Sequence, residues 1–503
     1  MNIQEARQEI INTVQAYLKK DETGTYEIPV ERQRPILMIG PPGIGKTAIM
    51  EQVARECGIN LVSYTITHHT RQSAIGLPFI SKRTYGGQEY SVTEYTMSEI
   101  IASVYEQIEV SGVKEGILFL DEINCVSETL APTMLQFLQY KTFGPHRVPD
   151  GFLIVTAGNP PQYNRSVRDF DIVTLDRMKK IVIEEDYPAW KDYAYKVGIH
   201  GSVMAYLEIR RDHFYSIRTE IDDRYFVTAR GWEDLSRVIA VYEKMEIPVT
   251  ENLVLQYIQD PEIARHFAAY YDLYNKYRNV YRVPDILEGR AEAAAGMKNA
   301  PFDEKLSLLG LLIDSLGREF RDYAFGLDVQ RLLYSQVLTL RSGLAEGGKA
   351  ASALAEDLGA AHKKDLEKKL RAKMISREEE KAERTVIGLL GEMEKDLILN
   401  QKGDKSHDFG LVKKWFTGRE EARKAQAAVA GDHLTNAFSY LAKTYGEGQE
   451  MVIFLTELAG GYYSLKYVSE CGNEAYYRYN KLLLLKDQRE ELQSQVLELL
   501  DLE

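Results

Sequence analysis

Residues 40–47, Gly40-Pro41-Pro42-Gly43-Ile44-Gly45-Lys46-Thr47, fit the pattern G-x-x-x-x-G-K-[ST] at every specified position. Glycine at 40, 43 and 45 lets the backbone turn tightly, so that successive N–H groups can point at phosphate oxygens. A helix starting here would present its positive end to the same anion. Lys46 supplies a point charge for β- and γ-phosphates, and the Thr47 hydroxyl is suited to Mg²⁺. With Ala48, these residues are the expected nucleotide-binding set.

A phosphate loop alone only binds. Asp121-Glu122 supplies the hydrolytic half. The pair follows the apolar run Ile117 to Leu120, and open α/β sheets hold their ligands at the carboxyl ends of strands. Asp121 is expected to hold Mg²⁺ with Thr47, and Glu122 to polarise an attacking water as a general base. A further apolar run ends in Ala157-Gly158-Asn159-Pro160. The Asn159 amide there can orient water and bond a γ-phosphate without competing for the metal. Its alternative reading is an ordinary Asn-Pro turn.

These residues need a scaffold of buried strands. Ile36–Ile39, Asn60–Tyr64, Ile117–Leu120 and Phe152–Thr156 are short and apolar, as strands covered on both faces of a parallel sheet are. Helical patterns such as Thr47–Cys57 and Thr96–Val110 lie between them. The expected class is α/β, a P-loop αβα sandwich. Helix dominates from Tyr187 onward, interrupted around Thr219–Phe226. Expected domains are 1–186 (αβα, nucleotide-binding), 187–278 (helical lid) and 279–503 (large, all-α, role unassigned). The Ala/Gly-rich Leu344–Gly359 stretch reads as a loose connector or weak helix. Ala361–Arg384 reads as one long solvated helix.

With 503 residues and 45% hydrophobic content, the chain can bury a large core, which excludes wholesale disorder. A net charge of −13 argues against coating of nucleic acid. Three scattered cysteines form neither a disulfide framework nor a zinc cluster. Asn2–Lys20 has no secretory apolar core, and no run is long enough to span a membrane. The expected location is the cytoplasm, without a membrane partner.

The order of phosphate loop, Ile-Leu-Phe-Leu-Asp-Glu-Ile-Asn, strand ending in Asn-Pro, then Leu175-Asp176-Arg177 resembles the AAA+ ATPases, and within them the MoxR branch. The resemblance covers about residues 30–240. It implies that Gly40–Thr47 is Walker A, Asp121-Glu122 Walker B and Asn159 sensor 1. It further implies that Arg177 is an arginine finger reaching a neighbouring subunit, with Arg168 as the competitor, and that Arg230 in Thr228-Ala229-Arg230-Gly231 is sensor 2. The implied activity is ATP hydrolysis with Mg²⁺ in a homohexameric ring. The implied task is chaperone-like maturation of a protein client, with a partner bearing a von Willebrand factor A domain. Two other readings stay open: a scaffold for complex assembly with little turnover, and a motor on nucleic acid. GTP also remains open, because the loop reads phosphates rather than bases.

The resemblance also implies hairpins facing a ring pore. Phe79–Tyr85, Gly86-Gly87 and Gln88–Tyr95 carry a hairpin pattern, and Lys141–Gly151 with its Gly144-Pro145 turn is the second candidate. His68-His69 does not read as a metal site, since neighbours on a strand point apart. Cys125 reads as a structural thiol. The tyrosines at 270, 271, 274, 277, 462, 463 and 467 read as packing first and as partner surface second.

Overall fold

The computed structural model describes residues 1–68, 76–163, 167, 170–219, 223–291 and 297–481. The chain forms two units. One is Met1–Ala189 with Lys363–Glu380; the other is Trp190–His362 and the chain from Lys381.

In the first unit α1 (Ile3–Leu18) precedes β1 (Ile36–Ile39), α2 (Lys46–Cys57) and β2 (Asn60–Thr65). Then come β3 (Pro78–Tyr85), β4 (Gln88–Tyr95), α3 (Glu99–Ser111), β5 (Gly116–Asp121) and α4 (Ala131–Tyr140). The short β6 (Thr142–Phe143) and β7 (His146–Arg147) lead to β8 (Phe152–Gly158), α5 (Ile172–Asp176) and β9 (Lys179–Val182). Five strands form one sheet in the order β2-β5-β8-β1-β9. Every pairing in it is parallel.

The alternation of side chains along these strands builds two cores. Ile36, Met38, Ile117, Phe119, Leu153 and Val155 pack with α1 and α2 on one face. Leu37, Leu118, Leu120, Phe152 and Ile154 pack with α3 and α4 on the other. Each such side chain, fully buried, contributes about 1.5–3 kcal/mol. The four apolar runs are therefore strands, as expected. β9 was not foreseen. Its Lys179-Lys180-Ile181-Val182 sequence buries only Ile181, as suits an edge strand whose charges deter further pairing.

Strands β3 and β4 form a separate antiparallel hairpin, with Tyr85 opposite Gln88. Gly86 and Gly87 turn it with φ of 59° and 85°, a left-handed pair that glycine adopts without strain. Phe79, Ile80, Tyr85, Tyr90 and Tyr95 are exposed along it. Strands β6 and β7 form the second expected hairpin around Gly144.

The second unit continues with α6 (Tyr187–Val197), α7 (Gly201–Ile209), the hairpin β10 (Ser216–Thr219) and β11 (Arg224–Val227), and α8 (Ala229–Lys244). Then follow α9 (Glu251–Tyr257), α10 (Pro261–Tyr281), α11 (Val283–Leu287) and α12 (Phe302–Glu346). The last described helices are α13 (Ala351–Arg371), α14 (Arg377–Asn400), α15 (Lys405–Tyr445), α16 (Gln449–Gly460) and α17 (Tyr462–Cys471). Tyr271, Tyr274 and Tyr467 are buried among these helices, whereas Tyr462 is exposed. No helix of the described residues is long and apolar enough to cross a membrane.

One local expectation is decided between its two alternatives and another is corrected. The Ala/Gly-rich stretch is mostly helical: α12 runs to Glu346, Gly347 and Gly348 turn with positive φ, and α13 starts at Ala351. Residues 361–384 are two helices rather than one. α13 stops at Arg371, Lys373 turns left-handed, and Ser376 restarts the chain. Glu379 N–H donates to Ser376 Oγ, and Ser376 N–H donates to Glu379 Oε2. That reciprocal capping box was present in the sequence as S-x-x-E inside a charge-rich run.

Candidate functional site

Sheet order brings the candidate residues together. β5, β8 and β1 are neighbours, so Asp121, Asn159 and the loop after β1 lie at adjacent carboxyl ends. The loop then feeds straight into α2 at Lys46. Gly45, just before it, has φ 96°, which a side chain would strain. At Gly40 a Cβ would lie 2.7 Å from the Ile183 carbonyl oxygen, so bulk there would push the loop away from the chain leaving β9.

Lys46 is buried. Its Nζ donates to the carbonyl oxygens of Gly40 and Pro41, each at 2.7 Å, and to Asn159 Oδ1 at 2.9 Å. The expected sensor amide and the expected phosphate cation are thus in direct contact. Asn124 supports Asn159 from below, donating from Nδ2 to its carbonyl oxygen at 2.7 Å. Asn124 also occupies the space over Gly158, where a Cβ would meet its Oδ1 at 2.5 Å. This buried amide had no role assigned from sequence, because only the fold places it under the strand tip.

Thr47 Oγ1 donates to Asp121 Oδ2 at 2.9 Å. A hydroxyl and a carboxylate this close are hard oxygen donors of the kind Mg²⁺ takes, with waters and substrate oxygens completing its shell. The residues therefore fit the expected ion. Glu122 sits at φ 57°, in the left-handed region, which turns its side chain away from the strand direction. Its Oε2 accepts from Thr67 Oγ1 at 3.1 Å. Thr67 was missed by the sequence reading. It follows β2, and β2 pairs with β5 so that Thr65 faces Asp121; only strand order reveals that neighbourhood. Burial, with Glu122 and Asp121 adding to it, pushes the Cys125 thiol up, the opposite of what a nucleophile needs.

The two expected arginines stand on other elements. Arg177 follows α5, is exposed, and donates from Nη1 to Gln139 Oε1 of α4 at 2.7 Å. Ile172 and Val173 on the short helix before it are 85% and 59% exposed. Arg168 lies outside the described residues, as do His69 and Ser73–Ile75. Arg230 belongs to the second unit. It is exposed in the first turn of α8, whose N-cap Thr228 accepts from Gly231 N–H.

The second hairpin hides a cation. Lys141 at the end of α4 is buried, and donates to the Phe152 carbonyl at 3.0 Å and more weakly to Gln33 Oε1 at 3.4 Å. Burial pulls its ammonium down to about 8, while Asp150 acts in the opposite direction.

Residues 36–175 match the ATPase family associated with various cellular activities (AAA). Over 199 residues the chain is 25% identical to Lon protease of Leptospira interrogans, covering 36% of this chain and 21% of that protein. Over 130 residues it is 30% identical to the peroxisomal ATPase PEX1 of Cricetulus griseus, covering 26% of this chain and 8% of that one. The match thus spans less than a quarter of either relative. A solved structure of a RuvB mutant from Thermotoga maritima aligns with 52% of this chain and 69% of its own, at 15% identity and TM-score 0.29. Residues 36–175 are an AAA ATPase domain, and the chain has the P-loop AAA+ fold with a large helical C-terminal region.

Proposed function

We propose that this protein is a Mg²⁺-dependent ATP hydrolase of MoxR type, working in the cytoplasm as an oligomeric ring that remodels or matures a protein client. The observation that carries the hydrolytic part is the contact chain Asn159–Lys46 beside Thr47–Asp121 and Glu122. Binding and cleavage groups converge there from three adjacent strands.

The loop N–H groups and the start of α2 receive the phosphates. Lys46 exchanges its carbonyl partners for β- and γ-phosphate oxygens. Thr47 and Asp121 hold Mg²⁺, which when bound neutralises charge developing on those oxygens. Glu122 takes the proton of the attacking water, and Thr67 fixes its carboxylate. Asn159 orients that water against the γ-phosphate. Arg177 is assigned as the finger that enters a neighbouring subunit's site on the family resemblance, and its exposure leaves it accessible for that role. The sensor 2 role of Arg230 rests on the family resemblance alone. The hexameric count, the client and a von Willebrand factor A partner rest on the family resemblance. The exposed aromatic hairpin β3–β4 is the surface proposed to grip the client.

The test compares ATP turnover and native mass for wild type, Lys46→Ala and Glu122→Gln. Wild type should hydrolyse ATP only with Mg²⁺. Lys46→Ala should fail to bind it, and Glu122→Gln should bind it without turnover and run as a multi-subunit ring. A wild type that neither hydrolyses ATP nor assembles with it would sink the proposal.

A further inference from the structure

The second unit holds a cavity of about 370 Å³, a size typical of small-molecule sites (~300–1,000 Å³). It lies among α6, α7, α12, α16 and α17, and none of the residues assigned to the nucleotide lines it. Its walls are largely aliphatic: Met204 from α7, Leu306, Leu309 and Ile313 from α12, Val452 and Ile453 from α16.

Five charged side chains line it: Glu208, Asp314 and Glu457, with Arg211 and Arg321. Glu208 pairs with Lys191 and Arg211. Glu457 accepts from Lys191 at 2.6 Å and from the Tyr195 hydroxyl. Asp314 pairs with Arg318 at 3.2 Å. Each of the other four charges thus has an ion-pair partner, whereas Arg321 feels Asp314 and Asp322 only through space. It lines the cavity half-buried, and it makes no hydrogen bond or ion pair with the described residues.

Room has been left around that guanidinium. A Cβ at Gly198, in the turn between α6 and α7, would lie 3.3 Å from Arg321 Cζ. At Gly317, one helical turn before Arg321, it would lie 3.6 Å from Nη1. Gly198 has φ 72°, so the turn itself also favours glycine. A desolvated guanidinium without a partner is expensive, and a planar anion that takes two of its N–H groups removes that cost.

We infer that this cavity binds a small amphipathic monocarboxylate, with its apolar chain between α7, α12 and α16 and its carboxylate on Arg321. One guanidinium without a hydrogen-bonded acceptor, beside three carboxylates already present, calls for no more than one added negative charge. A phosphomonoester, at about −1.5 to −2, would leave the site over-compensated. The aliphatic walls call for a hydrocarbon body. The occupant is unrelated to the nucleotide, so this inference stands or falls apart from the hydrolase proposal.

The test is calorimetric titration of the full chain with octanoate, 1-octanol and octyl phosphate. Octanoate should bind about ten- to a hundredfold more tightly than 1-octanol, the range of a charged hydrogen bond. Arg321→Gln should bring octanoate down to the affinity of 1-octanol, leaving 1-octanol binding unchanged and the melting temperature of the ligand-free protein no lower than that of wild type. Arg321→Lys should recover part of the preference, and Ile313→Trp should fill the cavity and abolish both ligands. Equal affinity for octanoate and 1-octanol in wild type, no heat at millimolar octanoate, or an unaltered preference in Arg321→Gln would each overturn the assignment. Tighter binding of octyl phosphate than octanoate would overturn the carboxylate class.

Discussion

Lys46 and Arg321 are both cations drawn out of bulk water, and they are held in opposite ways. Lys46 sits among oxygens of its own loop and of Asn159, at the polar mouth of a sheet. Arg321 projects from the middle of a 45-residue helix into an aliphatic cavity. The first cation is kept ready by acceptors that an incoming phosphate replaces one for one. The second relies on space, created by one glycine in a turn and another on its own helix. A charge can therefore be pre-organised either by exchangeable partners or by exclusion of partners.

The sharpest way to test the first arrangement is to remove what completes it from outside. Arg177→Ala should lower kcat about 10³–10⁵-fold if it acts as a finger. Mixing Arg177→Ala with Glu122→Gln subunits should restore part of the turnover, because some junctions then hold one intact copy of each group. No recovery on mixing would remove the finger role. Glu122→Gln alone should cost about 10²–10⁴-fold in kcat with nucleotide binding retained. Neither variant should change octanoate affinity, and Arg321→Gln should leave ATP turnover as it is. A cross-effect in either direction would break the separation of the two sites.

The comparison extends to pH, where stability rises with pH in both units but in different windows and for different reasons. Lys141 of the first unit has its ammonium at about 8, below the ordinary 10.5, because burial disfavours its charge. Below pH 8 both folded and unfolded chains carry that charge, and the burial cost is present in full. As pH rises from 8 to 10.5 the folded state alone sheds the proton. Stability of this unit should then increase by roughly 3 kcal/mol, since each pH unit across that window is worth about 1.36 kcal/mol. Lys141→Met should flatten that rise, as hydrogen exchange of β5 and β8 against pH would report.

Glu243 in the second unit acts at the acid end, where the folded state favours its charge. Burial would push it up, but His200 and Arg278 outweigh burial and hold it at about 2. Its stabilisation is complete above pH 4.5 and is lost as pH falls from 4.5 through 2. Glu243 is only half-buried, so solvent screening reduces the amount to about 1–2 kcal/mol. All three tryptophans, Trp190, Trp232 and Trp415, belong to this unit, so tryptophan fluorescence follows it selectively. Glu243→Gln should remove the acid limb of that curve. The smallest effect expected is at Thr67. Thr67→Ala should lower kcat about fivefold with little change in KM, the loss of one orienting hydrogen bond. An unchanged kcat would show that Thr67 does not position Glu122.

The sequence by itself determined the phosphate loop, the acidic pair and the four strands that carry them. Those features are local: a glycine pattern, two adjacent carboxylates, and apolar runs that only a doubly covered sheet can bury. Arg177 and Arg230 were legible as motif positions but not as neighbours of anything. Tertiary structure alone decided that β2 lies beside β5, which puts Thr67 on Glu122, and that Asn124 fills the space over Gly158. It alone decided that Gly198 faces a residue far along the chain, Arg321. Backbone motifs are written in consecutive residues because the chain binds phosphate with consecutive N–H groups. A cavity between helices is written nowhere in order, because its walls meet only once the helices pack.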